Sequence, residues 1–207
     1  MSTDLILICH GHTVQTQGDQ VFGWWADQPL SLLGRQQALL IGECLKNNFD
    51  IQAIYASPLK RTQETADIVS DVVKVVPAAE HALRELDSGL LSKLSYEEAQ
   101  AQYPEAVNEG QRIPGGESYD DMHRRVAWVI NRLVKQSPDR QIACITHGGP
   151  IVAYLRAFMG YDPQDANKPR FLCRMASLHH IQLSPDGDRT IVSLNDIAHL
   201  SGMPSAS

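Results

Sequence analysis

Two histidines in this chain stand in the same local setting. Residues 5–11 read LILICHG and residues 142–149 read IACITHGG, so His10 and His147 each close a short apolar run and each precede a glycine. An apolar run of that length suits a strand covered on both faces. An imidazole at its end sits where open α/β sheets bind ligands, beyond the carboxyl ends of the strands. Imidazole can serve there as nucleophile, acid or base near neutrality. A glycine next to it lets a ligand or a second backbone come close. One such junction reads most simply as structural, whereas two in one chain point to a shared site. The first junction also carries Cys9 and His12, so ligation of a transition metal by Cys9, His10, His12 and His147 is a competing chemistry for the same residues. Arg61 follows Ser57 by about one helical turn and adds a cation near a third strand end. Glu85, in LRELDSG, reads by itself as a solvated loop carboxylate, and Glu117, in PGGES, as an acidic first-turn residue complementing a helix dipole.

The elements that must position these groups alternate between strand and helix. Leu5–Ile8 reads as a buried strand, and SLLGRQQALLIGECLKNN as a helix capped by Ser31, with apolar residues from Leu32 to Leu45 near helical spacing. Ile51–Ala56 reads as a strand, and SPLKRTQETADIVSDVV as a helix with Ser57 capping and Pro58 in its first turn. Val72–Val76 carries into a third strand closed by Pro77. The stretch from about 78 to 116 is irregular, holds a short helix around Ser95–Gln102 and ends in the turn PGG. Glu117 or Ser118 opens a long helix with Met122, Val126, Val129, Ile130 and Leu133 on one face. Gln141–Thr146 is a strand, GGPIVAYLRAFMG a helix, and Phe171–Leu183 and Thr190–Leu194 late strands joined by the turn SPDGD. The expected fold is α/β, a three-layer sandwich with a mostly parallel central sheet and helices on both faces. Residues 1–207 are expected to form a single domain with an irregular insertion at about 78–116.

Composition narrows the partners. Among 207 residues, 43% are apolar and 20% charged, as in ordinary globular proteins. The formal net charge of −6 and the lack of a Lys/Arg block argue against nucleic acid or an anionic membrane as main partner. No apolar stretch reaches the roughly 18–20 residues of a membrane span, and the first residues carry no basic leader pattern, so a cytoplasmic location is expected. Cys9, Cys44, Cys144 and Cys173 are scattered without a CxxC pair, which predicts free thiols. Cys44 reads as helix core and Cys144 as strand core. His81, His123, His179 and His180 read as surface or interface groups, His199 as a local packing residue, and Trp24 and Trp25 as loop residues.

Taken in order, these pieces resemble the histidine phosphatase superfamily, which contains the cofactor-dependent phosphoglycerate mutases and many small phosphomonoesterases. The matching segments are HG at 10–11 with Thr13, DQPLSLLGRQQA at 27–38, YASPLKRTQETA at 55–66, LRELDSG at 83–89, PGGES at 114–118, THGG at 146–149 and NDIAHL at 195–200. The resemblance covers essentially the whole chain. It implies a phosphomonoester hydrolase in which His10 accepts the phosphoryl group, Glu85 serves as acid and then base, and His147 stabilises developing charge. Arg61, Gly11, His12, Thr16 and Gly148 would bind the phosphate. No metal or other cofactor is implied; the expected partner is a small phosphorylated metabolite, and a homodimer is left open. The short middle section with its few basic groups (Arg84, Lys93, Arg112) favours hydrolysis over mutase chemistry.

The chain departs from the family pattern in its first motif. Cys9 stands where the family has an arginine, His12 where it has Glu or Gln, and Thr16 where it has Asn. A thiol has one weak donor and cannot replace a guanidinium fork. Losing such a contact in a dry pocket typically lowers a rate by roughly 10²–10³. Three readings follow: a phosphatase with a remodelled pocket, where an imidazolium at His12 restores charge; a degenerate member that binds an anion or partner with little turnover; or a metal-dependent hydrolase. The last fits poorly with 207 residues, because barrels of that kind typically need about 250.

Overall fold

The computed structural model describes residues 2–14, 27–108, 112–162, 171–184 and 186–203. Thr16, Trp24 and Trp25 lie outside the described residues. The sheet has six strands: β1 (Thr3–Cys9), β2 (Ile51–Ala56), β3 (Pro77–Ala79), β4 (Gln141–Thr146), β5 (Leu178–Leu183) and β6 (Arg189–Asp196), in the order β3-β2-β4-β1-β5-β6. The first four in that order run parallel, while β5 is antiparallel to both β1 and β6. The sheet is therefore mixed, and the fold is the expected α/β arrangement.

β1 shows why this sheet needs helices on both sides. Leu5, Ile6, Leu7 and Ile8 are all fully buried, and successive side chains of a strand point to opposite faces. Leu5, Leu7 and Cys9 pack against α5 (Tyr119–Gln136) and α6 (Gly148–Phe158) through Met122, Val126, Ile130, Ile151 and Leu155. Ile6 and Ile8 pack against α1 (Leu32–Asn48) and α2 (Lys60–Val73) through Ile41, Leu45, Ala66 and Val69. Between α2 and α5 lie β3, a turn of 3₁₀ helix at His81–Leu83, another at Gly89–Lys93, and the short helices α3 (Tyr96–Gln102) and α4 (Pro104–Asn108). Leu83, Leu86, Leu91 and Ala99 of this stretch join the α5/α6 core. No helix among the described residues is long and apolar enough to cross a membrane.

The strand order creates one reversal. From β1 the chain moves across α1 to β2 and β3, then returns across α5 to β4, which pairs with β1. α1 leaves β1 on one face and α6 leaves β4 on the other. Neighbouring parallel strands whose connections diverge this way open a crevice beyond their carboxyl ends. Cys9 and Thr146 are paired in register there, so His10 and His147 emerge side by side.

Several boundaries differ from expectation for local reasons. α2 begins at Lys60 with Leu59 as N-cap and no side-chain cap, so Ser57 is not the cap. Val72 and Val73 complete α2, Lys74 turns left-handed (φ 62°), and β3 starts at Pro77 instead of ending there. A proline is tolerated at the first residue of an edge strand because its missing N–H is not needed. Residues 171–177 are not strand, and β5 starts at Leu178. On α1, Ala38, Ile41 and Leu45 are buried, but Leu32 and Leu39 face outward. His123 and His179 are buried, and His180 pairs with Asp4 at 2.6 Å, so these three are interior groups.

The loop after β1 is fixed by α1. Ser31 caps that helix by accepting from Gly34 N–H (3.1 Å), and its own N–H donates to the His12 carbonyl (2.9 Å). A Cβ on Gly11 would lie 2.5 Å from the Gly34 carbonyl oxygen, and a Cβ on Gly34 would lie 2.0 Å from that of His12. Gly11 thus admits a second backbone, that of the first turn of α1. Both Gly11→Ala and Gly34→Ala are expected to cost about 2–4 kcal/mol of stability through forced backbone displacement. Urea denaturation checks this, and a change under 1 kcal/mol at both positions would contradict the close packing (roughly the level of an ordinary surface substitution).

Candidate active site

His10 is the first residue beyond β1 and is 8% exposed. Its Nδ1 lies 2.8 Å from the Gly11 carbonyl oxygen, an obligate acceptor, so Nδ1 carries the proton and Nε2 the lone pair. The Nε–H of Arg61, an obligate donor, points to His10 Nε2 at 3.1 Å and to His147 Nδ1 at 3.2 Å. His147 must therefore hold its proton on Nε2, which donates to Ser57 Oγ at 2.8 Å. The two rings meet edge to face with centroids 5.3 Å apart. Two imidazoles thus offer lone pairs to one guanidinium, and both are held neutral. Burial, then the Arg61 charge, pulls His10 down to about 4 despite the Gly11 carbonyl. Burial also drives His147 well below the ordinary histidine value, with Arg61, His10 and Arg125 adding to the effect.

Glu85 is not a solvated loop carboxylate: it is 5% exposed. Its Oε1 accepts from Leu86 N–H at 2.9 Å and its Oε2 from Gly149 N–H at 3.3 Å. Burial raises it to about 7, against those two hydrogen bonds and the charges of Arg61 and Arg125. A Cβ on Gly149 would stand 2.2 Å from Glu85 Oε1, so a glycine is required in THGG for the carboxyl to sit there.

A second arginine holds the segment that bears Glu85. Arg125 forms a two-pronged ion pair with Glu117 (Nε to Oε1 and Nη2 to Oε2, both 2.7 Å). Its Nη1 donates to the carbonyls of Ala82 (2.8 Å) and Arg84 (2.9 Å). Glu117 Oε2 in turn accepts from Asp87 N–H (3.2 Å), and Thr146 Oγ1 donates to the Leu83 carbonyl (2.6 Å). Glu117 precedes the N-cap Ser118 and braces LRELDSG, so it is not a first-turn dipole residue. Arg125 was invisible in the sequence because a basic residue on a helix reads as solvated. Its signal was position: the spacing to Glu117 is 8 residues, two helical turns from the PGGES turn.

A cavity of about 400 Å³ opens on this cluster. Cys9, His10, Glu85, Gly148 and Gly149 contribute to its lining, together with Tyr119, Met122, Val152, Phe171, Met175, His123, Arg156 and Cys173. Arg61 and His147 touch His10 without lining it. Gly11 and His12, two of the other expected phosphate ligands, are tied to α2 and α1. Gly11 N–H donates to Thr65 Oγ1 (3.2 Å), His12 N–H donates to Gln37 Oε1 (2.8 Å), and His12 Nδ1 meets Ser31 Oγ at 2.9 Å. Gly148 opens α6, whose first turn has no side-chain cap. Cys9 is buried and lies beside Cys173. The four residues of the metal reading therefore divide among Arg61, Ser31 and Cys173, and among the described residues no group of three or more His, Cys, Asp or Glu is placed to hold a metal ion.

The histidine phosphatase superfamily (branch 1) model matches residues 5–197. The chain belongs to that superfamily. A histidine phosphatase relative from Yersinia enterocolitica, named "Probable phosphoglycerate mutase GpmB", is 31% identical over 212 residues, spanning 97% of this chain and 96% of its own. Among solved structures, the mycobacterial glucosyl-3-phosphoglycerate phosphatase superposes with a TM-score of 0.80 at 25% identity, over 94% of this chain and 99% of that one. Bacillus stearothermophilus YhfR superposes with a TM-score of 0.81 at 25% identity, over 96% and 99%. Histidine phosphatase relatives thus carry the names of mutases and of phosphatases.

Glu85 makes a prediction about stability. A carboxyl ordinarily near 4.5 and held near 7 in the folded protein favours folding below pH 4.5, and that contribution is lost as pH rises through 7. Glu85→Gln has no charge to bury, so its stability relative to wild type is expected to climb by about 2–3 kcal/mol between pH 4.5 and 8. Denaturant titrations of both proteins at several pH values check this; a difference independent of pH would mean the carboxyl is not titrating in that window. Arg125→Ala, which strips the brace from residues 82–87, is expected to cost about 3 kcal/mol or more by leaving Glu117 half-buried and unpaired. The same titrations read it, and a loss below 1 kcal/mol would show the ion pair to be dispensable (the level of an exposed pair).

Proposed function

We propose that the protein is a phosphomonoester hydrolase that works through a phosphohistidine at His10. The observation that carries this reading is the state of His10, which lines a cavity shared with Glu85: neutral, with its proton committed to the Gly11 carbonyl and its Nε2 lone pair beside Arg61. Substrate phosphate entering between His10 and Arg61 exchanges the Arg61–His10 hydrogen bond for bonds from the guanidinium to phosphoryl oxygens. Nε2 then attacks phosphorus in line, and the P–O bond to the leaving group breaks. Glu85, protonated up to about pH 7, gives its proton to the departing oxygen. Its carboxylate then takes a proton from water as that water attacks the phosphohistidine, releasing inorganic phosphate and free His10. His147 contributes through Arg61 and Ser57: it fixes the direction of the guanidinium, which carries the positive charge for the transition state.

The walls suggest the kind of ester. Tyr119, Met122, Val152, Phe171 and Met175 present apolar surface, and Arg156 adds a cation on the same cavity. This favours a small phosphorylated metabolite with an apolar portion and a polar or acidic group away from the phosphate. A metabolite of that kind is consistent with sugar-acid phosphates such as the one named for the mycobacterial phosphatase.

Hydrolysis of p-nitrophenyl phosphate is expected, unaffected by EDTA, and abolished in His10→Ala (at least about 10³-fold). The plot of kcat/KM against pH is expected to fall on the acid side as His10 gains a proton near 4 and on the alkaline side as Glu85 loses one near 7. Glu85→Gln should remove the alkaline limb along with most of the rate. Rapid quench should trap phosphate on His10, labile to acid and stable to base. Phosphate binding without turnover across a broad ester panel would replace this reading with that of a binding protein, and loss of activity with EDTA would replace it with a metal-dependent one.

A further inference from the structure

Cys9 shares the cavity wall with a second thiol, Cys173, that is distant from it in the chain. Segment 171–177 crosses the end of β1, held by the hydrogen bonds Cys9 N–H to Ser177 O (3.0 Å) and Ala176 N–H to His10 O (2.9 Å). This brings Cys173 beside Cys9, near enough for each thiol to act on the other's ionisation. Both line the cavity that also holds His10 and Glu85. A Cβ on Gly148 would touch Cys173 Cβ at 3.7 Å, so Cys173 sits against the first turn of α6.

The surroundings of Cys173 select which sulfur is nucleophilic. The backbone N–H of Asn195 donates to His179 Nδ1 at 3.2 Å, so the ring proton is on Nε2. That Nε2 is 3.6 Å from Cys173 Sγ and 3.2 Å from Ser177 Oγ, while the Ser177 hydroxyl donates to the Arg174 carbonyl at 2.7 Å. Cys173 therefore receives a hydrogen bond from His179, which favours its thiolate. The neighbouring Cys9 thiol, then His179 and Ser177, lower Cys173 to about 5 against burial, while Cys9 is raised well above the ordinary thiol value by its Cys173 neighbour and by burial. The other two cysteines lack this setting: Cys144 is sealed in β4 and pushed up to about 12 by burial, and Cys44 on α1 is also raised by burial.

We propose that Cys173 and Cys9 form a peroxide-sensitive dithiol on the wall of the cavity, oxidised reversibly to a disulfide that closes the site to phosphate esters. The oxidant is a small hydroperoxide such as hydrogen peroxide, admitted by the cavity. The Cys173 thiolate attacks one peroxide oxygen: an S–O bond forms, the O–O bond breaks, and the leaving hydroxide takes a proton to become water. Cys9 sulfur then attacks Cys173 sulfur. An S–S bond forms, the S–O bond breaks, and the released hydroxide leaves with the Cys9 proton as a second water. The two sulfurs together give up two electrons and the peroxide accepts them. Closure follows from position, because Cys9 directly precedes His10 and Cys173 abuts Gly148, so drawing the sulfurs to bonding distance narrows the cavity beside Nε2.

The effect on hydrolysis rests on the phosphatase reading, but the disulfide does not, and the two are read separately. Purified reduced protein is treated with hydrogen peroxide, alkylated, digested and mapped by mass. The expected product is a Cys9–Cys173 linked peptide lighter by two hydrogens, with Cys44 and Cys144 still alkylated after denaturation. Hydrolysis of p-nitrophenyl phosphate is expected to fall about tenfold or more and to return with dithiothreitol. Cys9→Ser should stop at a Cys173 sulfenic acid trapped by dimedone, and whatever activity Cys173→Ser retains should be indifferent to peroxide. Full alkylation of Cys173 after peroxide, or inactivation that persists in Cys173→Ser, would overturn the proposal. A linked peptide with undiminished hydrolysis would overturn the closure. A protein that hydrolyses no ester when reduced would count against the phosphatase reading, while the peptide map would still decide the dithiol.

Discussion

Everything around the site follows from one buried guanidinium. Arg61 is 5% exposed, and its single Nε–H is shared between two imidazole lone pairs. A cation in that position works in two directions. It makes further protonation of either ring costly, because a second positive charge would have to form within hydrogen-bonding distance in a dry setting. It also requires each ring to present a nitrogen without a proton, which fixes both tautomers through the partners on the far side, the Gly11 carbonyl and Ser57. The neutral state and Nε2 lone pair of His10 are thus a property of the cluster, since the bare residue type could equally be an acid, a base or a ligand. Ser57, expected as a helix cap, is free for this duty because α2 starts three residues later.

The carboxyl side of the site is built on opposite terms. Glu85 is kept where ionisation is unfavourable, and the structure holds it there by clamping its backbone, using Arg125, Glu117 and Thr146 on segment 82–87. Such bracing is needed, since a loop bearing a buried carboxyl would otherwise relax toward water. The glycines serve the same end. Gly149 leaves room for the carboxyl, and a Cβ on Gly116 would fall 2.2 Å from the Asp87 carbonyl oxygen, so PGGES and LRELDSG lie in direct contact.

The layering was legible in the sequence wherever apolar periodicity was strong. β2 and β4 fall where the apolar runs place them, and Ser95 and Ser118 cap helices as their positions suggest. Legibility failed where two local signals competed. Val72–Val76 is rich in β-branched residues, yet its first two residues extend α2, whose packing against α1 decides their state. In the site, residues at strand ends could be read because position in an α/β sheet carries meaning. His10 and His147 came from that rule, but Glu85 taken by itself did not, since burial of a loop carboxylate depends on Arg125 and Gly149 from distant parts of the chain. Cys173 was unreadable for the same reason: its environment is assembled from β1, α6 and β5 across more than 160 residues of sequence.

A thiol at position 9 changes the charge balance that a phosphate ester meets. Two neutral imidazoles add no positive charge, and the contacts of Cys173 favour its thiolate on the same cavity wall. Next to His10 the positive charge is that of Arg61, facing a carboxyl that ionises near 7. A phosphate ester loses its second proton near pH 6, so above that value a dianion would approach a site whose own carboxylate is forming. Below it, a monoanion meets a neutral Glu85 beside the Arg61 guanidinium. With a thiol at position 9, the electrostatic match of the proposed site leans toward the monoanion, the same protonation state of the site in which the proposed acid Glu85 carries its proton. The weaker clamp and the raised carboxyl are consistent with each other, because a site with less positive charge tolerates a dianion poorly and loses little by titrating its acid near neutrality.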